Sequence, residues 1–164
     1  MNEWYVLYVL YGREREISGV IRKMGLRVVS PSRIMLEHSK GAWREVERPL
    51  LPGYVFLEIS DLPRLYNAIM KIPGAMRFLG ADGPESVPCE DMAYMLRLGR
   101  GGEAWGISSG QTADGTLLVT EGPLVGMEER IERIDARRHR AKVRFDVIGE
   151  SRSVELALML TNRE

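Results

Sequence analysis

Three side chains have the chemistry for nucleophilic or metal-assisted reactions: Cys89, His38 and His139. Their spacing assembles no reaction. A single cysteine makes neither an internal disulfide nor a CxxC knuckle, and no HxxxH, GxSxG or Walker A pattern occurs. His139 lies inside a run of arginines, whose charge disfavours metal capture. His38 sits in a polar stretch, and Cys89 follows Pro88 as a small apolar residue. The chain is therefore expected to be no enzyme and to need no cofactor or metal. What remains is recognition chemistry.

The strongest such segment runs from Arg48 through Pro49-Leu50-Leu51-Pro52-Gly53 into Tyr54-Val55-Phe56-Leu57-Glu58-Ile59. Strand side chains alternate, so Val55, Leu57 and Ile59 share one face and Tyr54, Phe56 and Glu58 the other. The aliphatic face suits packing on helices. Two rings and a carboxylate suit a surface that a partner covers. The same spacing also suits a strand buried on both faces, and periodicity does not separate the two.

Guanidinium–phosphate pairing is the second chemistry on offer. Arg130, Arg133, Arg137, Arg138, Arg140, Lys142 and Arg144 cluster around His139, diluted by Glu132 and Asp135. If a strand begins near Arg138, then Arg138, Arg140, Lys142 and Arg144 share its outer face about 7 Å apart. That stripe could follow a phosphate backbone; it equally suits a solvated strand face. A smaller cluster comprises Arg13, Arg15, Arg22 and Lys23, where Gly19 would let a backbone approach closely. Glu14 and Glu16 dilute it, and an amphipathic helix needs a polar side in any case.

The elements that must hold these residues follow from pattern. Trp4 to Tyr11 reads as a central strand ended by Gly12. Ile17, Val20, Ile21 and Met24 form a helical stripe closed by Gly25, and Leu26 to Val29 a second short strand. Residues 36–48 are polar with a hairpin tip at Lys40-Gly41. Ser60 or Asp61 caps a second helix carrying Leu62, Leu65, Ile69 and Ile72, stopped by Pro73-Gly74. A strand at Met76 to Leu79 and a helix at Glu90 to Leu98 complete a β-α-β-β-α-β order, the ferredoxin-like arrangement with one open sheet face. The predicted fold class is α+β. Residues 1–98 form its first domain, 99–112 a flexible Gly- and Ser-rich linker, and 113–164 a small β-barrel read from the alternation of Ala141, Val143, Phe145, Val147 and of Val154, Leu156, Leu158, Leu160.

Composition narrows the classes. With 164 residues and 45% hydrophobic content the chain can bury a core, and 23 basic against 23 acidic residues leave no net charge. Any electrostatic site must be local, and a strongly basic ribosomal protein is excluded. The N-terminal apolar run lacks a basic flank and is too short for a signal peptide or a membrane span, which predicts a cytoplasmic protein away from membranes.

Trp4-Tyr5-Val6-Leu7-Tyr8, Leu51-Pro52-Gly53-Tyr54-Val55, and Ile72-Pro73-Gly74 leading to Phe78-Leu79-Gly80 together resemble the N-terminal (NGN) domain of NusG-type transcription factors. Val119-Thr120-Glu121-Gly122-Pro123-Leu124, followed by Ile134-Asp135 and Val143, resembles the KOW motif of their SH3-like C-terminal barrel. The resemblance covers nearly the whole chain in order. It implies a transcription elongation and antitermination factor that grips the clamp helices of bacterial RNA polymerase and suppresses pausing. The matching positions are Tyr8, Leu51, Pro52, Gly53, Tyr54 and Phe56, with Ile69 and Ile72 as further ones.

The family's KOW barrel meets a small-subunit ribosomal protein or the termination factor Rho through contacts that map to Leu124, Met127, Ile148 and Gly149. Here the chain departs from the general factor: Leu124 replaces a usual Phe, Met127-Glu128-Glu129 a usual Gly-containing run, and Glu150 a common basic residue. Those departures resemble the specialised paralogues of the RfaH-like group, LoaP-type factors above all. These act on selected operons, LoaP-type factors after recognising an RNA hairpin in the nascent leader and RfaH-like ones with nontemplate DNA; this chain is expected to be a monomer.

A rival of another class is the single-stranded RNA-recognition module, which also shows Gly-Tyr-Val-Phe on such a sheet. It normally carries a basic residue directly before that Gly. Pro52 stands there, and the aliphatic neighbours suit a protein helix more than a base. A general NusG-type factor is the nearer alternative.

Overall fold

A computed structural model of the chain describes residues 2–98 and 104–161. Its first half runs β1 (Glu3–Val9), α1 (Glu14–Lys23), β2 (Arg27–Val29), β3 (Ser32–Ser39), β4 (Ala42–Pro49), β5 (Tyr54–Ile59), α2 (Leu62–Met70), β6 (Ala75–Phe78) and α3 (Cys89–Leu98). Four strands form an antiparallel sheet in the order β2-β5-β1-β6. Along the chain these elements follow the expected β-α-β-β-α-β order, with β3 and β4 inserted as a separate hairpin.

Local chemistry sets these boundaries. Asp61 caps α2 by accepting the Arg64 N–H at 3.4 Å, a contact worth about 1 kcal/mol. Lys40 and Gly41, at φ +51° and +79°, make the two-residue turn that matches strand twist, so the hairpin tip falls where expected. The α1 stripe is narrower than its spacing predicts: Ile17 and Ile21 are fully buried, while Val20 is exposed. β1 stops at Val9, two residues early, and Leu10 and Tyr11 stand in solvent.

The sheet has two apolar faces. Leu7, Val9, Val55, Leu57 and Ile59 pack on Ile17, Ile21, Leu62, Ile69 and Ile72 of the helical layer and its C-terminal turn. Trp4, Val6, Tyr54 and Phe56 point away from α1 and α2, as the alternation required, and share a cluster with Met92 and Met95 of α3.

The second half holds β7 (Ser108–Ala113), β8 (Thr116–Glu121), a 3-10 turn at Glu128–Arg130, β9 (Ile131–Asp135), β10 (Arg140–Val147) and β11 (Glu150–Leu160). They form a five-stranded sheet in the order β8-β7-β11-β10-β9, in which β7 runs parallel to β11. The expected inward alternation of Ala141, Val143, Phe145 and Val147 holds along β10.

The expected linker needs correction. Residues 99–103 lie outside the described residues, but from Ala104 onward the chain is built into the fold. Trp105 is fully buried, edge-on to Phe145 at 5.4 Å, and bonds to β3 through Ile34 N–H to Trp105 O (2.8 Å) and Trp105 N–H to Ser32 O (2.7 Å). Ser108 to Gln111 read as loop because they lack large apolar groups, yet they form β7. Small residues are required there: a Cβ on Gly110 would lie 2.8 Å from Leu118 O.

Candidate functional site

The Leu51-Pro52-Gly53 turn is held from both sides. Gly53 sits at φ +86°, where a side chain is strained, and a Cβ would lie 3.1 Å from the Tyr8 ring. Its N–H donates to Glu14 Oε2 at 3.2 Å, and its carbonyl accepts the Val9 N–H at 2.8 Å. The β1–β5 register then sets Tyr8 opposite Tyr54 and Val6 opposite Phe56 on one face. Tyr8 and Tyr54 meet edge to face at 6.2 Å.

That face is closed by the rest of the chain. Leu51, Tyr54 and Phe56 are at most 3% exposed, and one apolar cluster runs from Trp4, Tyr54 and Phe56 into Val143, Phe145, Val147 and Leu156. Strand β5 is thus buried on both faces, with the second face covered by the C-terminal sheet.

Polar contacts pin the seam. Arg152 donates to Pro52 O at 2.9 Å and lies 4.8 Å above the Tyr54 ring. Arg77 pairs with Glu150 at 3.4 Å and stacks over Tyr8 at 5.6 Å. Arg33 donates to the Glu155 carbonyl, and burial holds its guanidinium below its ordinary pKa. Trp43 meets His38 at 5.1 Å and His139 at 4.7 Å, so both histidines are ring contacts of one tryptophan. Burial pushes the Tyr54 hydroxyl pKa up; Glu150 adds to this and Arg152 opposes it.

Of the other residues expected at this surface, Pro52 is half-buried and Tyr8 remains 36% exposed at its edge. Ile69 and Ile72 do not join it. They pack in the helical core on the opposite side of the sheet, because the α2 stripe faces Val55 and Leu57.

Three residues of the basic cluster, Arg138, Arg140 and Arg144, are paired. Arg138 lies in the β9–β10 turn rather than on the strand, with its Nε 4.0 Å from Asp135. Arg140 is bound to Glu155 at 2.6 Å, and Arg144 to Asp146 at 3.7 Å. The expected four-residue stripe is therefore broken. Lys142 stands exposed opposite Arg133, and Arg130 and Arg137 are exposed. On α1, Arg15, Arg22 and Lys23 are exposed, while Arg13 pairs with Glu16 at 2.7 Å. Among the contacts expected of the C-terminal domain, Leu124 and Met127 are buried, Ile148 is half-buried and Gly149 is exposed.

Sequence reading missed Arg152, Glu14 and Trp105. For Arg152 a signal existed: it and Glu150 continue the parity of Val154, Leu156 and Leu158, so a charged pair extends an apolar stripe. Glu14 opens an ordinary amphipathic helix and gave no sign that it would be buried.

The fold is that of an α+β protein whose most aromatic sheet face is covered by its own second sheet. The family model described as transcription termination factor NusG matches residues 2–96, more than half of the chain. Similar proteins include the transcription termination/antitermination protein NusG of Treponema pallidum, 27% identical with 96% of each chain covered. The Bacillus subtilis protein of the same name is also 27% identical, with 94% of each covered. A solved structure, described as domain interaction in Thermotoga maritima NusG, matches with a TM-score of 0.60 at 24% identity, covering 97% of this chain and 94% of that one. The chain belongs to the NusG family, a NusG-type transcription elongation and antitermination factor. Factors of this family interact with RNA polymerase.

Proposed function

We propose that the chain acts on bacterial RNA polymerase through the face made by Tyr8, Leu51, Pro52, Gly53, Tyr54 and Phe56, gripping the clamp helices and suppressing pausing and termination. The observation that carries this is the face itself: aromatic anchors on a rigid strand, set around a turn clamped by Glu14 and Val9. Because the C-terminal sheet covers it, docking requires the two halves to part. Truncating a buried aromatic anchor typically costs roughly 2 kcal/mol of binding or more.

The family's specialised members, LoaP-type factors, remain the reading we favour for the subgroup. Support comes from the positions where this chain departs from the general pattern. Met127 packs in one cluster with Phe56 and lines a cavity of about 310 Å³ beside it, while Glu150 pairs with Arg77 of the first domain. The departures therefore build the closed seam. With Leu124 and Met127 buried, the SH3-like KOW domain would offer its ribosomal-protein contacts only after opening. The RNA hairpin or DNA of a target operon would meet the exposed arginines, and the paired state of Arg138, Arg140 and Arg144 shifts weight towards α1. The factor would work as a monomer in the cytoplasm; no helix among the described residues is long and apolar enough to cross a membrane.

The test is binding to bacterial core RNA polymerase in moderate salt with competitor RNA, wild type beside Tyr54→Ala. Binding lost in a folded variant supports the docking face. Single-stranded RNA held through Tyr54, with no polymerase binding, would replace it by the RNA-recognition reading.

A further inference from the structure

The Pro52–Gly53 peptide is held at both of its polar ends. In a trans peptide, as here, the N–H and the carbonyl point in opposite directions. Gly53 N–H donates to Glu14 Oε2 at 3.2 Å, and Pro52 O accepts from the Arg152 guanidinium at 2.9 Å. The two grips differ in origin. Glu14 belongs to α1, in the same half of the chain as the turn, whereas Arg152 reaches across from β11. When the halves part, Arg152 leaves and Glu14 stays. Glu14 is fitted to that task and to little else. It is 5% exposed, and its second oxygen, Oε1, is buried without a hydrogen-bond partner. One hydrogen bond does not offset taking a carboxylate out of water, so stability alone gives no reason for this residue. Holding the turn does.

Arg152 uses two features of the face together. It donates to Pro52 O while its guanidinium carbon stands 4.8 Å from the Tyr54 ring centroid. A guanidinium can do both, because its donors lie in a plane whose face stacks on aromatic rings; an ammonium has donors but no flat face. We propose that Pro52 O and the Tyr54 ring form an arginine seat, kept in shape by Glu14, which Arg152 fills in the closed molecule and an arginine side chain of the polymerase fills on docking. The second half rests on the docking reading above, and its ground is the accounting of hydrogen bonds. A partner that covers this face takes Pro52 O out of water again, and a covered carbonyl without a donor is destabilising. Arg152 has then gone, and Arg77 stacks on the neighbouring ring, Tyr8, at 5.6 Å. The donor therefore comes from the partner, and the bared Tyr54 ring selects a flat cation among donors.

The seat is tested first without polymerase. In the full chain, Arg152→Ala vacates it, and the amide resonances of Gly53 and Tyr54 are followed during titration with ethylguanidinium or ethylammonium chloride at equal ionic strength. The expected result is saturable shifts at both amides, with ethylguanidinium bound about threefold or more tighter than ethylammonium. The wild type, whose seat is filled, should show no such preference. In the Arg152→Ala background, Glu14→Gln keeps an acceptor for the Gly53 N–H and should retain the preference, which separates positioning from charge. Glu14→Leu should abolish it, with thermal unfolding showing that the variant is folded. Equal response to the two cations overturns the seat; a preference that survives Glu14→Leu overturns the role of Glu14. Binding of the Arg152→Ala chain to core polymerase is then competed with the same two salts. Stronger competition by ethylguanidinium supports an arginine of the polymerase in the seat. Equal competition is screening by salt and overturns that half while the seat stands. A chain that takes up ethylguanidinium yet binds no polymerase overturns the docking reading instead.

Discussion

Arg152 spans two of the contacts that close the molecule. Its guanidinium donates to Pro52 O and lies over Tyr54, so one side chain ties β11 to both the turn and the aromatic face. A hydrogen bond from a charged donor contributes about 1.5–3 kcal/mol, and a partly desolvated cation–π contact about 1–2 kcal/mol. These are not additive here, because both lie at one seam. Arg152→Ala is expected to destabilise the closed arrangement by about 1–3 kcal/mol. Amide exchange at Tyr54 and Phe56, which the cover protects, measures it: faster exchange there with little change at Val55-facing helices is the expected outcome. Legibility at this scale was uneven. Tyr54 and Phe56 were readable because strand parity is strict. The partner of Arg140 was not, since Glu155 reaches it only through the β10–β11 register and side-chain conformation, whereas Asp146 shares a strand face with Arg144 two residues away.

At the scale of elements, strand and helix identity followed from periodicity wherever apolar groups were large. β5, α1, α2 and β10 lie close to their expected places. β7 was missed for a physical reason: its pairing is made by backbone, and its side chains are small because the neighbouring strand comes close. Gly110→Ala tests this directly. The added methyl would meet Leu118 O at 2.8 Å and Val119 Cα at 3.3 Å, backbone atoms that cannot retreat without moving β8. Overpacking of this kind costs about 1–3 kcal/mol. Thermal denaturation should show that loss. A variant as stable as wild type would mean the β7–β8 pair is looser than its register implies.

For the whole molecule, the sequence predicted apolar surfaces in both halves but not their mutual burial. Local patterns report which face is apolar, not what covers it; that depends on contacts between residues about one hundred positions apart, such as Pro52 and Arg152. The long-range arrangement also explains why Trp105, placed in an apparently open stretch, is among the most deeply buried side chains. Closure has a functional consequence. If the docking face is available only in a minor open population, apparent affinity for polymerase falls by that fraction, so each 1.4 kcal/mol removed from closure raises affinity about tenfold until opening is complete.

The most direct measurement is therefore the affinity of the full chain for bacterial core RNA polymerase in three forms: wild type, Glu150→Arg/Arg152→Ala, and that pair combined with Tyr54→Ala. The first two substitutions turn the Arg77–Glu150 attraction at 3.4 Å into repulsion and remove the Arg152 contacts to Pro52 and Tyr54, while leaving every proposed docking residue unsubstituted. Our account predicts binding about tenfold tighter than wild type for the opened form and its loss when Tyr54 is also truncated. An opened form that binds no better than wild type, or one indifferent to Tyr54, would contradict it.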